Sequence, residues 1–299
     1  MDTIEQRIDA VRNDREHGSR WLVQQTITIL RDLAQEQIRV REEQMGALLA
    51  AGRALAQARP AMAALASAVG RILNVRGGPQ AIAQVAQQLL EEYDTATGRI
   101  AQHAQPYLSG TLMTCSISGT VLDVLNAHRQ QISRIIALEG RPRYEGRAMA
   151  RALSAQGFAV TLLTDAQADI FMPQCQAIVV GVDSILANGD VLNKAGTALL
   201  AHAAQGHNVP FYVLCETLKI SPQQWPLDFQ HAQTFLEEKE SDEVLETPIP
   251  GVIVRNFYFD CTPYALVSKV FTERGVLTLP DIQAIASAAE KNAHALAEG

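Results

Sequence analysis

The sequence is poor in cysteine and has no long apolar run. Its four cysteines stand far apart in 299 residues, with no CxxC pair and no cluster of cysteine and histidine. This pattern argues against a structural zinc site and indicates reduced thiols in a cytoplasmic protein. No apolar stretch approaches the roughly 18 residues of a membrane-spanning helix, and the N-terminal segment is polar and of mixed charge, unlike a signal peptide. We therefore expect no membrane partner.

Positive charge is scarce as well. The chain has 25 Lys and Arg residues against 32 Asp and Glu residues, which gives a net charge of −7. Nucleic-acid binding depends on neutralising phosphates with Lys and Arg, so we expect no nucleic-acid partner. A small anionic ligand remains compatible with this balance, because it needs only a few local cations and backbone N–H groups.

Three common functional motifs are missing. No GxGxxG sequence follows a predicted strand, and the phosphate loop GxxxxGK[ST] does not occur. The segment CSISG has Ser116 where the nucleophile elbow GxSxG requires its first glycine, so a hydrolase of that type is not expected. Neither a metal nor an organic cofactor is expected.

The pattern of apolar residues changes near residue 109. Residues 1–108 show helical periodicity throughout and predict an N-terminal helical domain. Residues 109–299 alternate short apolar β-rich runs with helical segments, which is typical of a parallel sheet covered on both faces. The sequence therefore predicts an α/β protein in which a helical domain precedes a doubly wound, Rossmann-like domain.

Reactive and charged residues follow several of the predicted strands. In open parallel sheets, ligands bind at the carboxyl ends of the strands, so these residues are expected to share one edge. They are Cys115, Ser116 and Ser118 after the first strand; Glu139, Arg141, Arg143, Glu145 and Arg147 after the second; Asp183 after the fourth, with Asn193 and Lys194 expected at the start of the next helix; and Glu216 and Lys219 after the fifth.

Each residue also has a structural interpretation. Cys115 alone is more often a buried apolar residue, Asp183 alone is as apt to cap a turn as to catalyse, and Lys194 alone is an ordinary surface residue. The acidic segment 236–246 is expected to be a solvated helix or loop without a function. The functional interpretation gains weight because so many polar groups are expected on one edge.

Five segments in this order resemble one superfamily. It contains the alpha, beta and delta regulatory subunits of translation initiation factor 2B, and isomerases of methylthioribose 1-phosphate and ribose 1,5-bisphosphate. The segments are TCSISGTV, EGRPRYEGR, VGVDSILANGDVLNKAGT, VPFYVLCETLK and NFYFDCTPYALV…FTERGV, and in the helical half DREHGSRWLVQQTI and ARPAMAALASAV add to the resemblance.

The resemblance implies roles for individual residues. Cys115 and Asp183 stand where the isomerases have their catalytic cysteine and aspartate. Together with the residues expected at the edge of the sheet, the resemblance gives the following substrate-binding set: Gly18, Ser19, Arg20, Arg59, Ser116, Ser118, Arg141, Asn193, Lys194 and Lys219. Gly18 and Ser19 open a predicted helix whose free N–H groups suit a phosphate.

Two departures from the isomerase pattern leave the substrate and the activity open. The isomerases have His before the catalytic Cys and Asn after it, whereas this chain has Thr114 and Ser116. Their Arg-Gly-Ala-Gly turn is replaced by His17-Gly18-Ser19-Arg20.

The resulting expectation is an aldose–ketose isomerase that converts ribose 1,5-bisphosphate to ribulose 1,5-bisphosphate. Asp183 would act as an acid with a raised pKa, and Cys115 as a base with thiolate character. The alternative is a non-catalytic regulatory protein that senses a sugar phosphate or nucleotide in the same pocket. Under either hypothesis the resemblance implies a homo-oligomer, either a homodimer or a hexamer built as a trimer of dimers.

Overall fold

The computed structural model describes residues 3–15, 17–36, 40–226 and 229–298. Its first third is helical. The helices there are α1 (Ile4–Asn13), α2 (Ser19–Gln35), α3 (Arg41–Ala56), α4 (Ala63–Leu73) and α5 (Pro79–Ala104). Local signals set their ends: Thr3 and Gln6 form a capping box at α1, and Pro79 occupies the first turn of α5 directly after Gly78.

A central sheet of seven strands begins directly after α5. The strands of the remaining chain are β1 (Gly110–Thr114), β2 (Ile132–Leu138), β3 (Val160–Leu163), β4 (Ala177–Val180), β5 (Ser184–Ile185), β6 (Val191–Lys194), β7 (Phe211–Leu214), β8 (Phe259–Thr262), β9 (Lys269–Thr272) and β10 (Gly275–Leu277). The sheet has the order β10-β9-β7-β4-β1-β2-β3, and every pairing in it is parallel except that of β10 with β9.

This order confirms the predicted doubly wound α/β fold. From β1 the chain proceeds outward through β2 and β3, then returns to the other side of β1 and continues through β4, β7 and β9. The strand order therefore reverses between β1 and β4, which are hydrogen-bonded neighbours. A crevice at the carboxyl ends of such a pair is where open α/β sheets bind ligands.

Six further helices lie in this part of the chain. They are α6 (Gly119–Ala127), α7 (Glu145–Ala155), α8 (Ala168–Phe171), α9 (Thr197–Gly206), α10 (Phe229–Leu236) and α11 (Leu279–Glu298). None of the described helices is both long enough and apolar enough to cross a membrane.

One local prediction was wrong. Asn193 and Lys194 do not begin a helix; they end β6, which pairs with β5 and β8 in a separate antiparallel sheet. Helix α9 begins only at Thr197. The pairing partner β8 comes some sixty residues later in the chain, and a long-range pairing of this kind leaves no periodic signal in a short segment.

The helical third and the sheet share contacts. Leu192, Tyr258 and Phe259 belong to the same apolar core as α2, α3 and α4. Helix α11 leaves the sheet and packs on α4, where Asn74 donates a hydrogen bond to Asn292 over 3.0 Å. The change from helices to strands falls between Ala104 and Gly110, but the last helix returns to the first region.

Candidate functional site

A cavity of about 770 Å³ opens at the reversal point of the sheet. It lies between the N-terminal helices and the carboxyl ends of β1 and β4, and both Cys115 and Asp183 line it. The other predicted site residues that line it are Gly18, Ser19, Arg20, Arg59, Ser116, Ser118, Asn193, Lys194 and Lys219. The fold thus brings together residues from five distant segments.

Cys115 follows directly after β1 and is buried. Ser116 after it adopts a left-handed conformation (φ 61°), a strained arrangement for a residue other than glycine that turns the chain sharply beside the thiol. The Sγ atom lies 3.7 Å from Thr197 Oγ1 at the start of α9. Burial raises the pKa of Cys115 to about 12. Burial therefore opposes the thiolate character that a base at this position needs.

Asp183 lies three residues beyond β4, and its backbone N–H donates to Leu192 O over 3.0 Å. Gly181 permits the loop to pass close to Ser118, because a Cβ atom there would lie 2.5 Å from Ser118 Oγ. Burial raises the pKa of Asp183, against the opposing charges of Lys219, Lys194 and Arg59. The direction agrees with the predicted role as an acid.

Two helices direct their N-terminal ends at the cavity. Helix α2 begins at Ser19, as predicted, and no side chain caps its free N–H groups. Helix α6 begins at Gly119, with Ser118 as its N-cap. Arg20 on α2 pairs with Asp123 on α6 at 2.6 Å and joins the two helices. Helix N-termini carry partial positive charge, so this edge suits an anion such as a phosphate.

The three cations nearest Asp183 are each paired with a glutamate. Lys219 Nζ lies 3.4 Å from Glu216, Lys194 Nζ lies 2.7 Å from Glu145, and Arg59 Nη2 lies 3.5 Å from Glu237, as measured to the carboxylate oxygens. Glu145 and Glu216 were predicted only to lie at the edge of the sheet, and none of these three glutamates was predicted to belong to the site.

The Arg59 segment reaches the cavity because it is tied to β5. Ser184 Oγ donates to Ala61 O over 2.7 Å and accepts from the Ala63 backbone N–H over 2.8 Å. Arg59 and Pro60 directly precede Ala61, so the hydrogen bond between Ala61 and Ser184 holds both at the cavity wall. Asp183 precedes Ser184 directly, so one pair of hydrogen bonds positions both segments.

Arg141 is the one predicted site residue that does not line the cavity. Its guanidinium group donates to Tyr144 Oη over 2.8 Å and to the Val244 carbonyl over 3.1 Å. Its backbone N–H donates to Asp165 over 2.8 Å. These bonds hold the loop after β2 against the acidic segment.

The acidic segment 236–246 is mostly exposed, as expected, but it is not without contacts at the site. Glu237 is nearly buried, lines the cavity and also pairs with Lys239 at 3.0 Å. Glu240 pairs with Arg15 at 2.8 Å, and Glu243 accepts hydrogen bonds from Tyr258 and Asn256. A charge run carries no sequence signal that separates inward from outward glutamates, so Glu237 could not be recognised beforehand.

The cavity wall differs in charge from the rest of the protein. Among its described lining residues, seven are Arg or Lys and four are Asp or Glu, although the whole chain has a net charge of −7. His17 adds a ring that stacks on Trp21 at 4.1 Å and contacts Asp14 at 2.7 Å. Within the described part of the chain, no cluster of His, Cys, Asp and Glu has the arrangement of a metal site. The wall suits a small polar anion.

Comparison with known proteins places this site in a family. The family model described as "Initiation factor 2 subunit family" matches residues 15–279. The chain belongs to that family. A ribose 1,5-bisphosphate isomerase from Archaeoglobus fulgidus is 31% identical over 238 residues, which cover 76% of this chain and 75% of that protein. A methylthioribose-1-phosphate isomerase from Anaeromyxobacter sp. is 36% identical over 266 residues, 81% of this chain and 76% of that protein.

Solved structures of this family share the fold. The translation initiation factor eIF-2B of Pyrococcus horikoshii OT3 aligns with a TM-score of 0.79 at 27% identity, covering 92% of this chain and 96% of that chain. The 5-methylthioribose 1-phosphate isomerase of the same organism aligns with a TM-score of 0.74 at 25% identity, covering 97% and 88%. These findings confirm the resemblance, and the family includes proteins with both kinds of name.

Proposed function

We propose that the protein is a sugar-phosphate aldose–ketose isomerase, and that its substrate is ribose 1,5-bisphosphate. The observation that carries the proposal is that Cys115 and Asp183 line one cavity together with the free N-terminus of α2 and an excess of cations. Relatives named as isomerases of ribose 1,5-bisphosphate and methylthioribose 1-phosphate support the reaction class. The bisphosphate is favoured because the cavity wall contains four predicted cations, Arg20, Arg59, Lys194 and Lys219, which are enough to serve two phosphates.

The proposed chemistry begins with the ring. The anomeric oxygen of an aldose 1-phosphate carries the phosphate, so the ring opens only when an acid protonates the ring oxygen. Asp183, held as a carboxylic acid by burial, delivers that proton. The bond between C1 and the ring oxygen then breaks, hydrogen moves from C2 to C1, and the C2 hydroxyl passes its proton to the Asp183 carboxylate, which leaves a ketone and restores the acid.

The role of Cys115 depends on how hydrogen moves. As a base, the thiol must first lose its proton, and Thr197 and Lys194 are the neighbours that favour the thiolate. A thiol with a pKa of about 12 instead favours a direct shift of hydride from C2 to C1, beside a neutral Cys115 that keeps water from the reacting carbons. Turnover in D₂O separates the routes: a proton-transfer route introduces deuterium at C1, and a hydride shift does not.

The decisive experiment is turnover with three substrates. Purified protein is expected to form a ketose from ribose 1,5-bisphosphate faster than from methylthioribose 1-phosphate. Deoxyribose 1-phosphate, which lacks the C2 hydroxyl, is the control that cannot give a ketose. Cys115→Ser and Asp183→Asn are each expected to lower kcat by about 10²–10⁴-fold while the protein still binds the phosphate ligand. Undiminished turnover in either folded variant would rule out the catalytic pair.

A non-catalytic sensor is the second candidate. It is favoured by burial, which opposes ionisation of Cys115, and by the carboxylate partners of Lys194 and Lys219. For a sensor, ribose 1,5-bisphosphate would raise the melting temperature without forming product.

We also propose that the protein is a homo-oligomer, a homodimer or a trimer of dimers. Two groups of exposed apolar side chains support this: Ile170 and Leu199 on the packed helices α8 and α9, and Ile249, Val252 and Ile253 after the acidic segment. Where such side chains form a contiguous patch, the patch usually marks a contact with another chain.

A further inference from the structure

Glu216 is a buried carboxylate to which the proposed reaction gives no role. It follows β7, is only 2% exposed and does not line the cavity. One of its oxygens accepts a hydrogen bond from Thr120 Oγ1 over 2.7 Å, and the other lies 3.4 Å from Lys219 Nζ. Lys219 is equally buried, but it does line the cavity. Glu216 therefore stands directly behind a cation of the site.

Two carboxylates face this one ammonium group. Lys219 interacts electrostatically with Glu216 and also with Asp183. A buried carboxylate is stable in its charged form only beside an opposite charge, and one cation inside a protein supports one such anion well. Glu216 is the carboxylate that forms an ion pair with Lys219. Burial alone would raise the pKa of Glu216, but the charge of Lys219 and the hydrogen bond from Thr120 lower it overall. Protonation is therefore more favourable at Asp183 than at Glu216.

We propose that Glu216 is a positioning residue that acts through Lys219 to keep Asp183 in its protonated form. Without the charge of Glu216, the ammonium group of Lys219 would be free to stabilise the Asp183 carboxylate, and Asp183 would release its proton. This proposal adds to the proposed function. Only its effect on kcat rests on that function, because the protonation of Asp183 can be measured without turnover.

The remaining charges around Asp183 agree with this assignment. Lys194 and Arg59 also act on Asp183, and each has its own glutamate partner, Glu145 and Glu237. Glu237 itself further opposes ionisation of Asp183. Those two pairs lie in the cavity wall, where a bound phosphate competes for the cations. Of the three glutamates, only Glu216 does not line the cavity, so a ligand bound there would not contact it.

The test measures the protonation of Asp183 without requiring turnover. Infrared spectra of the full chain without ligand are recorded at a series of pH values, and the C=O band of protonated carboxyl groups is measured. The part of this band that is missing in Asp183→Asn is assigned to Asp183. In Glu216→Gln, this band is expected to disappear at a lower pH than in the wild type.

A matched control removes a neighbouring carboxylate by the same chemical change. Glu273 accepts hydrogen bonds from the backbone N–H and hydroxyl of Thr217, and its ion-pair partner is Arg274, not Lys219. Glu273→Gln is expected to leave the Asp183 band in place. An unchanged band in folded Glu216→Gln, or an equal shift in Glu273→Gln, would overturn the proposal.

A double variant covers the case in which Glu216→Gln does not fold. Glu216→Gln/Lys219→Met removes both charges together, and buried ion pairs are often replaced by neutral groups without loss of stability. Its Asp183 band is expected to return to the wild-type pH range. A band that disappears at lower pH in the double variant would contradict the role assigned to Lys219.

Kinetics adds a separate arm. If the wild type isomerises ribose 1,5-bisphosphate, the alkaline limb of its pH–kcat profile reports loss of the Asp183 proton. In Glu216→Gln this limb is expected at lower pH, and kcat above it falls about tenfold for each pH unit of displacement, while KM changes little. Absence of wild-type turnover would defeat the proposed function, but the infrared result would still decide the role of Glu216.

Discussion

At the scale of single residues, environment decides chemistry more than residue type does. The positions of Cys115 and Asp183 at the sheet edge could be predicted, because strand ends and their order are visible in the sequence. Their protonation could not, since it depends on buried neighbours contributed by distant segments. Burial opposes the thiolate form predicted for Cys115, and it favours the acid form of Asp183.

Asp260 gives a residue-scale prediction about stability. Its carboxylate accepts hydrogen bonds from the backbone N–H groups of Gly196 and Ala198 at the start of α9, at 2.7 and 3.1 Å. Burial raises its pKa to about 6 from an ordinary value of 3.8. The folded state therefore binds this proton more tightly than the unfolded state does. The contribution of protonated Asp260 to the free energy of unfolding is fully present below about pH 4 and is lost as the pH rises through about 6.

Asp260→Asn keeps the hydrogen-bond acceptor and removes the charge. Relative to the wild type, the free energy of unfolding of the variant is expected to improve by roughly 3 kcal/mol between about pH 4 and about pH 7. Urea denaturation at both pH values checks this. If the difference in free energy of unfolding between the wild type and the variant did not change with pH, the raised pKa of Asp260 would be contradicted.

At the scale of elements, patterns with local causes were predictable and pairings across the chain were not. The start of α2 at Ser19 and the strands β1, β2, β4 and β7 follow from periodicity and from Gly18. The strand β6 was mistaken for a helix start because β8, which pairs with it, lies far along the sequence. The contact of Glu237 with the cavity could not be predicted for the same reason, since its partner Arg59 lies far away in the sequence.

The acidic segment yields an element-scale prediction. Glu237 forms ion pairs with Arg59 and Lys239 at the cavity wall, and its backbone is left-handed (φ 47°). Glu237→Gln removes a competing anion, so the dissociation constant of inorganic phosphate is expected to fall several-fold. Calorimetric titration measures it. Glu238→Gln is the control, because Glu238 is exposed and pairs with Arg255 outside the cavity; weaker binding in Glu237→Gln would show that Glu237 supports the site instead.

At the scale of the whole molecule, an acidic protein surrounds a cavity lined mainly by cations. That contrast favours entry of a small anion while the surface repels polyanions. The overall charge of −7 was visible in the sequence, but the local excess of Arg and Lys appears only when five segments meet.

The exposed apolar groups provide the prediction at this scale. Light scattering of the purified chain is expected to give at least twice the mass of 32.5 kDa, because burial of Leu199 and Ile253 against a second copy is favourable. Leu199→Asp and Ile253→Asp, measured separately, identify which group lies at the contact by lowering that mass. A wild-type mass of one chain would refute self-association.

The return of α11 to α4 has a consequence for how the chain matures. Helices α1–α5 leave the ribosome first, yet one side of α4 stays uncovered until residues 279–298 have been synthesised. The early part of the protein therefore completes its packing last, and a nascent chain stalled in the sheet region would present an open helical face to chaperones.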